Sequence, residues 1–200
     1  MTVAAAIVAG GQGLRMGGIA KGLLQVGGLS IVEAQLRLLR PLFSRVFIVT
    51  NDAQAYSHLG VPLVADQMGA GLGPLAGVQS ALSFLLPHED AVTCVAADMP
   101  FLSAPIMRLI RDCLADAAGL VPFLNGFPEP LCARYHRRVL PVITDLIQRG
   151  RLKCSDALLA INASRLPDDL WQAIDPTGRF ATNINTPAAL EAAVLATKAT

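Results

Sequence analysis

Val3-Ala4-Ala5-Ala6-Ile7-Val8-Ala9-Gly10-Gly11-Gln12-Gly13-Leu14-Arg15-Met16-Gly17-Gly18-Ile19-Ala20-Lys21-Gly22 lies near the start of the chain and decides how the rest is read. Its first seven residues are apolar and rich in small and β-branched side chains, the pattern of a buried strand. They run directly into a glycine-dense turn that carries two cations, Arg15 and Lys21. Glycines admit positive φ and let the backbone come close to a ligand. Consecutive free N–H groups can cradle phosphate oxygens, and cationic side chains add charge-assisted hydrogen bonds. The stretch therefore predicts a strand followed by a nucleotide-phosphate loop. Two familiar phosphate motifs do not fit it. Gly13 and Gly18 have P-loop spacing, but Ile19 and Ala20 stand where Lys and Ser/Thr belong. Gly11 and Gly13 begin a dinucleotide fingerprint whose third glycine position holds Met16. An ordinary glycine-rich turn is the alternative reading.

Beyond the loop, Leu23–Val26 reads as a short extended piece, and Ser30 with Glu33 has capping-box spacing at the head of a helix that Pro41 closes. Val46–Val49 is a second buried strand ending at Asn51, with a short helical piece over Ala53–Leu59. Val61–Ala65 is a third strand, where Pro62 suits an edge or an initial position, and ends at Asp66. Gly69 to Gly77 forms a second glycine-rich loop, with Pro74 opening a helix to about Leu86. Ala91–Ala97 is a fourth strand ending at Asp98. This alternation predicts an α/β sandwich with a mostly parallel sheet and crossover helices. Ligands of such sheets sit at the carboxyl ends of the strands. The loop, Asn51, Asp66 and Asp98 all fall there. Asn51 and Asp66 also suit turn or cap positions, whereas Asp98, between an apolar strand and Met-Pro, is placed to project into a cleft.

The second half breaks the simple alternation. Ser103 is expected to cap a helix through Cys113 and Ala117. Leu120–Phe123 is extended, Asn125-Gly126 is a hairpin turn, and Leu131–Tyr135 reads as a returning strand, so a mixed sheet or a small insertion is expected. Helices follow near Arg137–Gln148 and Ser155–Ala160, while Ile161–Trp171 has no clear pattern. The final helix starts at Thr186-Pro187 and runs through Val194.

The 200 residues suit one domain, 53% apolar and able to bury a large core. A net charge of +1 leaves no electrostatic footprint for nucleic acid or an anionic membrane, so any basic site must be local. The four cysteines form no C-x-x-C and no Cys/His cluster, which argues against zinc and for a reducing, cytoplasmic setting. The apolar N-terminus lacks a basic flank and ends in Gly-Gly, unlike a signal peptide, and no apolar run is long enough to span a bilayer.

Ala9-Gly10-Gly11-x-Gly13-x-Arg15-Met16-Gly17 with Lys21-Gly22 resembles the signature loop of nucleotidyltransferases. Gly73-Pro74-Leu75-Ala76-Gly77, Asp98-Met99-Pro100, Glu129-Pro130-Leu131 and Asn183-Ile184-Asn185-Thr186-Pro187 continue the match over nearly the whole chain, and the set resembles the molybdenum cofactor guanylyltransferase family. The resemblance implies a three-layer Rossmann-like sandwich of the nucleotide-diphospho-sugar transferase type, with residues 1–100 as a nucleotide-binding half and 101–200 as an acceptor-binding half. It implies transfer of GMP from GTP to the phosphate of Mo-molybdopterin with release of pyrophosphate, assisted by magnesium or manganese. Asp98 becomes the metal carboxylate, Lys21 neutralises the phosphates, and Arg15 stabilises the departing pyrophosphate. Val8, Ala9, Gly10 and Gly11 hold the nucleoside, with Asn51, Asp66, Lys21 and Asp98 contacting the nucleotide. Gly73, Pro74, Asn183 and Asn185 fall to the acceptor, with Asn183 or Asn185 helping to hold the metal or the acceptor phosphate, although both asparagines also suit capping of the last helix. A phosphate acceptor is already anionic, so His58, His88 and His136 are not needed.

Two departures from the family stand out. Ala20 precedes Lys21 where an Asp is usual, and Gly150-Arg151-Leu152-Lys153-Cys154 is less basic than expected for pterin docking. A cytidylyltransferase of the same pathway is the nearest rival, and Gly10, which leaves room for a purine edge, favours GTP. A sugar-1-phosphate nucleotidyltransferase would need more chain, and a non-catalytic nucleotide-binding partner in molybdoenzyme maturation would not need Arg15, Lys21 and Asp98 together. Other proteins of cofactor biosynthesis are the expected partners besides small molecules.

Overall fold

The apolar runs assemble into one seven-stranded sheet, seen in a computed structural model that describes residues 1–10, 15–16, 19–69 and 71–198. Its strands are β1 (Val3–Val8), β2 (Val46–Val49), β3 (Leu63–Val64), β4 (Ala91–Ala96), β5 (Gly119–Val121), β6 (Cys132–His136) and β7 (Ser164–Arg165). They lie in the order β7-β5-β6-β4-β1-β2-β3. All pairings are parallel except those of β6, which runs against both β4 and β5. This is the mixed, mostly parallel sheet expected from the sequence, with the returning strand as its one reversal.

The helices are α1 (Ile31–Leu39), α2 (Ala53–Tyr56), α3 (Pro74–Ser83), α4 (Ala104–Asp112), α5 (Leu140–Gln148), α6 (Cys154–Ala160), α7 (Asp168–Gln172) and α8 (Pro187–Lys198). Every residue of β1 is buried, because a parallel sheet is covered on both faces. Val3, Ala5 and Ile7 pack toward Leu36 and Leu39 of α1 and Ile106 and Ile110 of α4. Ala4, Ala6 and Val8 pack toward α3, α5 and α6 through Val78, Ile143 and Leu158. The alternation of period two along one strand thus separates the two helical layers. A Cβ on Gly77 would stand 2.6 Å from Val8 Cγ1, so this glycine lets α3 lie directly against the end of β1.

Several element limits differ from the sequence expectation. Leu23 ends a 3₁₀ turn over Lys21–Leu23 rather than starting a strand. The strand expected over Val61–Ala65 narrows to two residues at the sheet edge, where the missing Pro62 N–H costs no ladder bond. The helix after Pro74 stops at Ser83, and α4 stops at Asp112 because its C-cap Cys113 is extended, with ψ 140°, ahead of Leu114 at φ 45°. Ser103 occupies the N-cap of α4, but its side chain makes no capping hydrogen bond. The Ser30–Glu33 capping box forms as expected. The last helix runs past Val194 to Lys198. A small third cluster, with Leu24, Val26 and Ile31 against Ile184 and Ala193, binds the C-terminal segment to the region after the glycine loop.

Among the described residues, no helix is long and apolar enough to cross a membrane.

Candidate active site

The carboxyl ends of β1 and β4 open onto a cleft of about 250 Å³, walled by Lys21, Pro74, Asp98, Glu129 and Asn185. Its construction explains why residues far apart in sequence meet. Strand β1 delivers Val8, Ala9 and Gly10 to the floor, and β4 delivers Asp98 beside them. Because β6 is reversed, its beginning lies at this same edge: Leu131 O accepts from Ala96 N at 2.9 Å, which puts Glu129 and Pro130 on the rim.

Asp98 sits on a turn held from three sides. Ala97 N donates to Val8 O at 3.1 Å. Gln35 of α1, itself buried, donates through Nε2 to Ala96 O at 2.8 Å and Met99 O at 2.9 Å, clamping the turn on both sides of Asp98. Ile184 N donates to Asp98 O at 2.9 Å and docks the Asn183–Asn185 segment on the aspartate's own backbone. The Asp98 side chain is 11% exposed. Burial raises its carboxyl above the usual aspartate range, and the nearby Lys21 ammonium opposes that rise.

Lys21 Nζ donates to Asn185 Oδ1 at 2.6 Å and stands 3.7 Å from Asp98 Oδ2. Asn185 therefore faces the cleft and does not cap the last helix. That cap is Thr186, whose Oγ1 accepts from Ala189 N at 3.2 Å. Asn183 also lines the cleft, with Nδ2 donating to Ala181 O at 3.4 Å.

Asn51 and Asp66 lie at the ends of β2 and β3 and bind each other: Asn51 Nδ2 donates to Asp66 Oδ2 at 2.8 Å and Asp66 N donates to Asn51 Oδ1 at 2.9 Å. They stand beside the cleft. A Cβ on Gly10 would lie 3.7 Å from Asp66 Oδ2, so the Asp66 carboxylate flanks the backbone expected to hold the nucleoside. Gly73 is the N-cap of α3 with φ 77°, a conformation that favours glycine, and it sends Pro74 into the cleft wall. Gly11 and the side chain of Arg15 lie outside the described residues; the Arg15–Met16 backbone pairs with Ile19–Ala20 in a small antiparallel ribbon that leads to Lys21.

None of the three histidines lines the cleft, and His136 is occupied in accepting from Arg138 N at 3.2 Å. Among the described residues, no group of three or more His, Cys, Asp or Glu side chains could hold a metal. Among the described residues, the carboxylates of the cleft are buried Asp98 and, at the rim, Glu129. That set suits a hard divalent ion completed by substrate phosphates and water, not an all-protein cage.

Three residues of the site carried no role in the sequence. Gln35 had a legible signal, since it is a polar residue on the apolar face defined by Val32, Leu36 and Leu39. Tyr56 had none, because α2 is too short for periodicity. Glu129 belongs to a recognisable motif but has no hydrogen-bond or ion-pair partner for its carboxylate among the described residues, and burial raises its pKa.

Residues 5–163 match the model of the MobA-like NTP transferase domain. A probable molybdenum cofactor guanylyltransferase from Carboxydothermus hydrogenoformans is 33% identical over 191 residues, covering 93% of this chain and 92% of that protein. A molybdenum cofactor guanylyltransferase from Vibrio parahaemolyticus is 33% identical over 149 residues, 74% of this chain and 75% of that one. The crystal structure of molybdopterin-guanine dinucleotide biosynthesis protein A from Archaeoglobus fulgidus superposes with a TM-score of 0.82 at 24% identity, covering 98% of this chain and all of the other. The strand order, the cleft at its carboxyl edge and these matches agree: the chain belongs to the MobA-like NTP transferase family.

Proposed function

We propose that this protein transfers GMP from GTP to the phosphate of Mo-molybdopterin, forming the guanine dinucleotide cofactor and pyrophosphate. The observation that carries the reading is the meeting of Lys21, Asp98 and Asn185 at one point of the cleft, between a nucleoside side at Gly10 and Asp66 and an acceptor side at β6. The first hundred residues then serve the nucleotide and the second hundred the acceptor.

The acceptor phosphate is the nucleophile and the α-phosphorus of GTP its target. One P–O bond forms to the acceptor oxygen, and the bond to the β-phosphate oxygen breaks with its electron pair leaving on pyrophosphate. A phosphate monoester is anionic near neutral pH, so no residue needs to remove a proton, in keeping with the position of the histidines. The chain's task is alignment and charge neutralisation. Lys21 exchanges its contact with Asn185 for phosphate oxygens. Asp98 would hold a magnesium or manganese ion, which would supply neutralisation of phosphate charge. Arg15 meets the departing pyrophosphate. Asn183 and Asn185, with Gly73 and Pro74, border the acceptor. Four free thiols suit a reducing compartment such as the cytoplasm, where other cofactor-biosynthesis proteins would deliver and collect the pterin.

The direct test incubates the purified protein with magnesium, GTP and Mo-molybdopterin and follows guanine dinucleotide and pyrophosphate. Formation of both supports the reading. Turnover with CTP and not GTP would replace it with cytidylyl transfer, and nucleotide binding without turnover would replace it with a carrier role.

A further inference from the structure

Tyr56 is the last residue of α2, on the side of the sheet where α1 packs, and is only 2% exposed. Its ring belongs to the apolar cluster that includes Val32 and Ala97. The phenol tip reaches the base of the Lys21–Asp98 pair. A Cβ placed on Gly22 would lie 3.0 Å from Tyr56 Oη and 3.1 Å from Ala97 Cβ. Gly22 follows Lys21 directly and Ala97 precedes Asp98 directly, and all five of these residues line the same cleft. The φ of Gly22 is not left-handed, so the reason for glycine there is space: a side chain would occupy the room taken by Val32 and the tyrosine hydroxyl.

Among the described residues, Tyr56 Oη makes no hydrogen bond, and although its ring is buried the oxygen is not one of the fully enclosed unpaired atoms, so the hydroxyl opens onto the cleft. The group is thus a donor with no acceptor among the described residues, at the floor of a cleft that also presents the Lys21 ammonium. We propose that Tyr56 is a further ligand-binding residue of this site, its hydroxyl donating to a phosphate oxygen of the bound nucleotide. The chemistry is consistent. Burial, with the Asp52 and Asp98 carboxylates, pushes its pKa up to about 12, so the phenol stays protonated and neutral wherever the protein works. A neutral O–H donor selects an anionic oxygen, and unlike a lysine it does so without competing with the metal for Asp98. The assignment to a nucleotide rests on the proposed guanylyl transfer; the phosphate chemistry does not.

The test is Tyr56→Phe, which keeps the ring and removes one oxygen. Calorimetry with inorganic pyrophosphate and magnesium, and with GTP and magnesium, should show affinities about tenfold weaker than the parent, while guanosine binding is unchanged. The thermal midpoint should stay level or rise, since the lost hydroxyl has no protein partner. For guanylyl transfer, kcat/KM for GTP should fall by a similar factor. Unchanged pyrophosphate affinity overturns the proposal, as does failure of the parent protein to bind pyrophosphate. A lower midpoint with unchanged affinity assigns the hydroxyl to packing and also overturns it. Weaker pyrophosphate binding by the variant, in a parent protein that transfers no guanylyl group, upholds the phosphate contact and rejects the activity instead.

Discussion

Lys21 and Asn185 are joined side chain to side chain at 2.6 Å across 164 residues of sequence, and the same ammonium lies 3.7 Å from Asp98. Before any ligand arrives, a protein cation therefore stands beside the carboxylate that a divalent ion would use. Lys21→Met should act in opposite directions on two measurements. Transfer should lose about 2–4 kcal/mol in kcat/KM, the usual worth of a group that meets developing phosphate charge. Binding of magnesium or manganese by the nucleotide-free protein should tighten, because the competing charge is gone. Metal affinity that falls together with activity would show that Lys21 does not compete for Asp98.

The raised Asp98 pKa sets a pH dependence. If Asp98 holds the ion, metal binding requires its carboxylate, which takes up a proton above the ordinary aspartate range because burial outweighs the Lys21 charge. Metal affinity and kcat/KM should therefore decline as pH falls through that raised value and be constant above it. In Lys21→Met, which loses the opposing charge, the acid limb should move to higher pH. Asp98→Asn should remove the limb and reduce transfer by at least about a hundredfold, with nucleotide binding weakened less. An acid limb at the ordinary aspartate range would place the titrating group elsewhere.

Gly10→Ala separates the purine argument from the fold. Among the described residues, the added Cβ meets nothing nearer than Asp66 Oδ2 at 3.7 Å, an ordinary contact, so stability should change by under about 1 kcal/mol. If Gly10 leaves room for the guanine edge, KM for GTP should rise about tenfold or more while CTP is less affected. Equal effects on the two nucleotides would remove Gly10 from base selection.

A stability test lies at the opposite end of the sheet. Glu89 is fully buried and accepts from Arg45 Nη2 at 2.8 Å, Leu86 N at 2.8 Å and Ser44 Oγ at 3.2 Å. Burial raises its pKa, but these hydrogen bonds and the Arg45 charge lower it further, so the net shift is downward. A depressed carboxylate pKa stabilises the fold above the ordinary glutamate range, and the contribution is lost as pH falls through the folded-state value. Glu89→Ala leaves the Arg45 guanidinium without its partner and should cost about 3–5 kcal/mol in urea unfolding at neutral pH. A cost under about 1 kcal/mol would show that the pair contributes little.

The first hundred residues were readable because each parallel strand among them is an apolar run that stops at a glycine or a polar residue, and those stops, Gly10, Asn51, Asp66 and Asp98, lie along one edge of the sheet. The reversal of β6 was readable from Asn125-Gly126, since a hairpin turn demands an antiparallel return. Strand β7 was not, because Ser164 and Arg165 pair through the backbone alone and two residues carry no period. The same limit hid Tyr56. The two readings of Asn185, cleft and cap, could not be separated by pattern, since both place it just before Pro187; only the course of Lys21 across the cleft separates them.

The bond from Ile184 N to Asp98 O has a consequence for synthesis. A nascent chain can lay down β1, β2, β3 and β4, with the part of the cleft that they carry, long before residue 184 leaves the ribosome. Until it does, the Asp98 turn lacks one of its three supports and Lys21 lacks Asn185. A stalled or clipped product ending before that point would carry the carboxyl edge of the sheet with Asp98 and Lys21 lacking these supports.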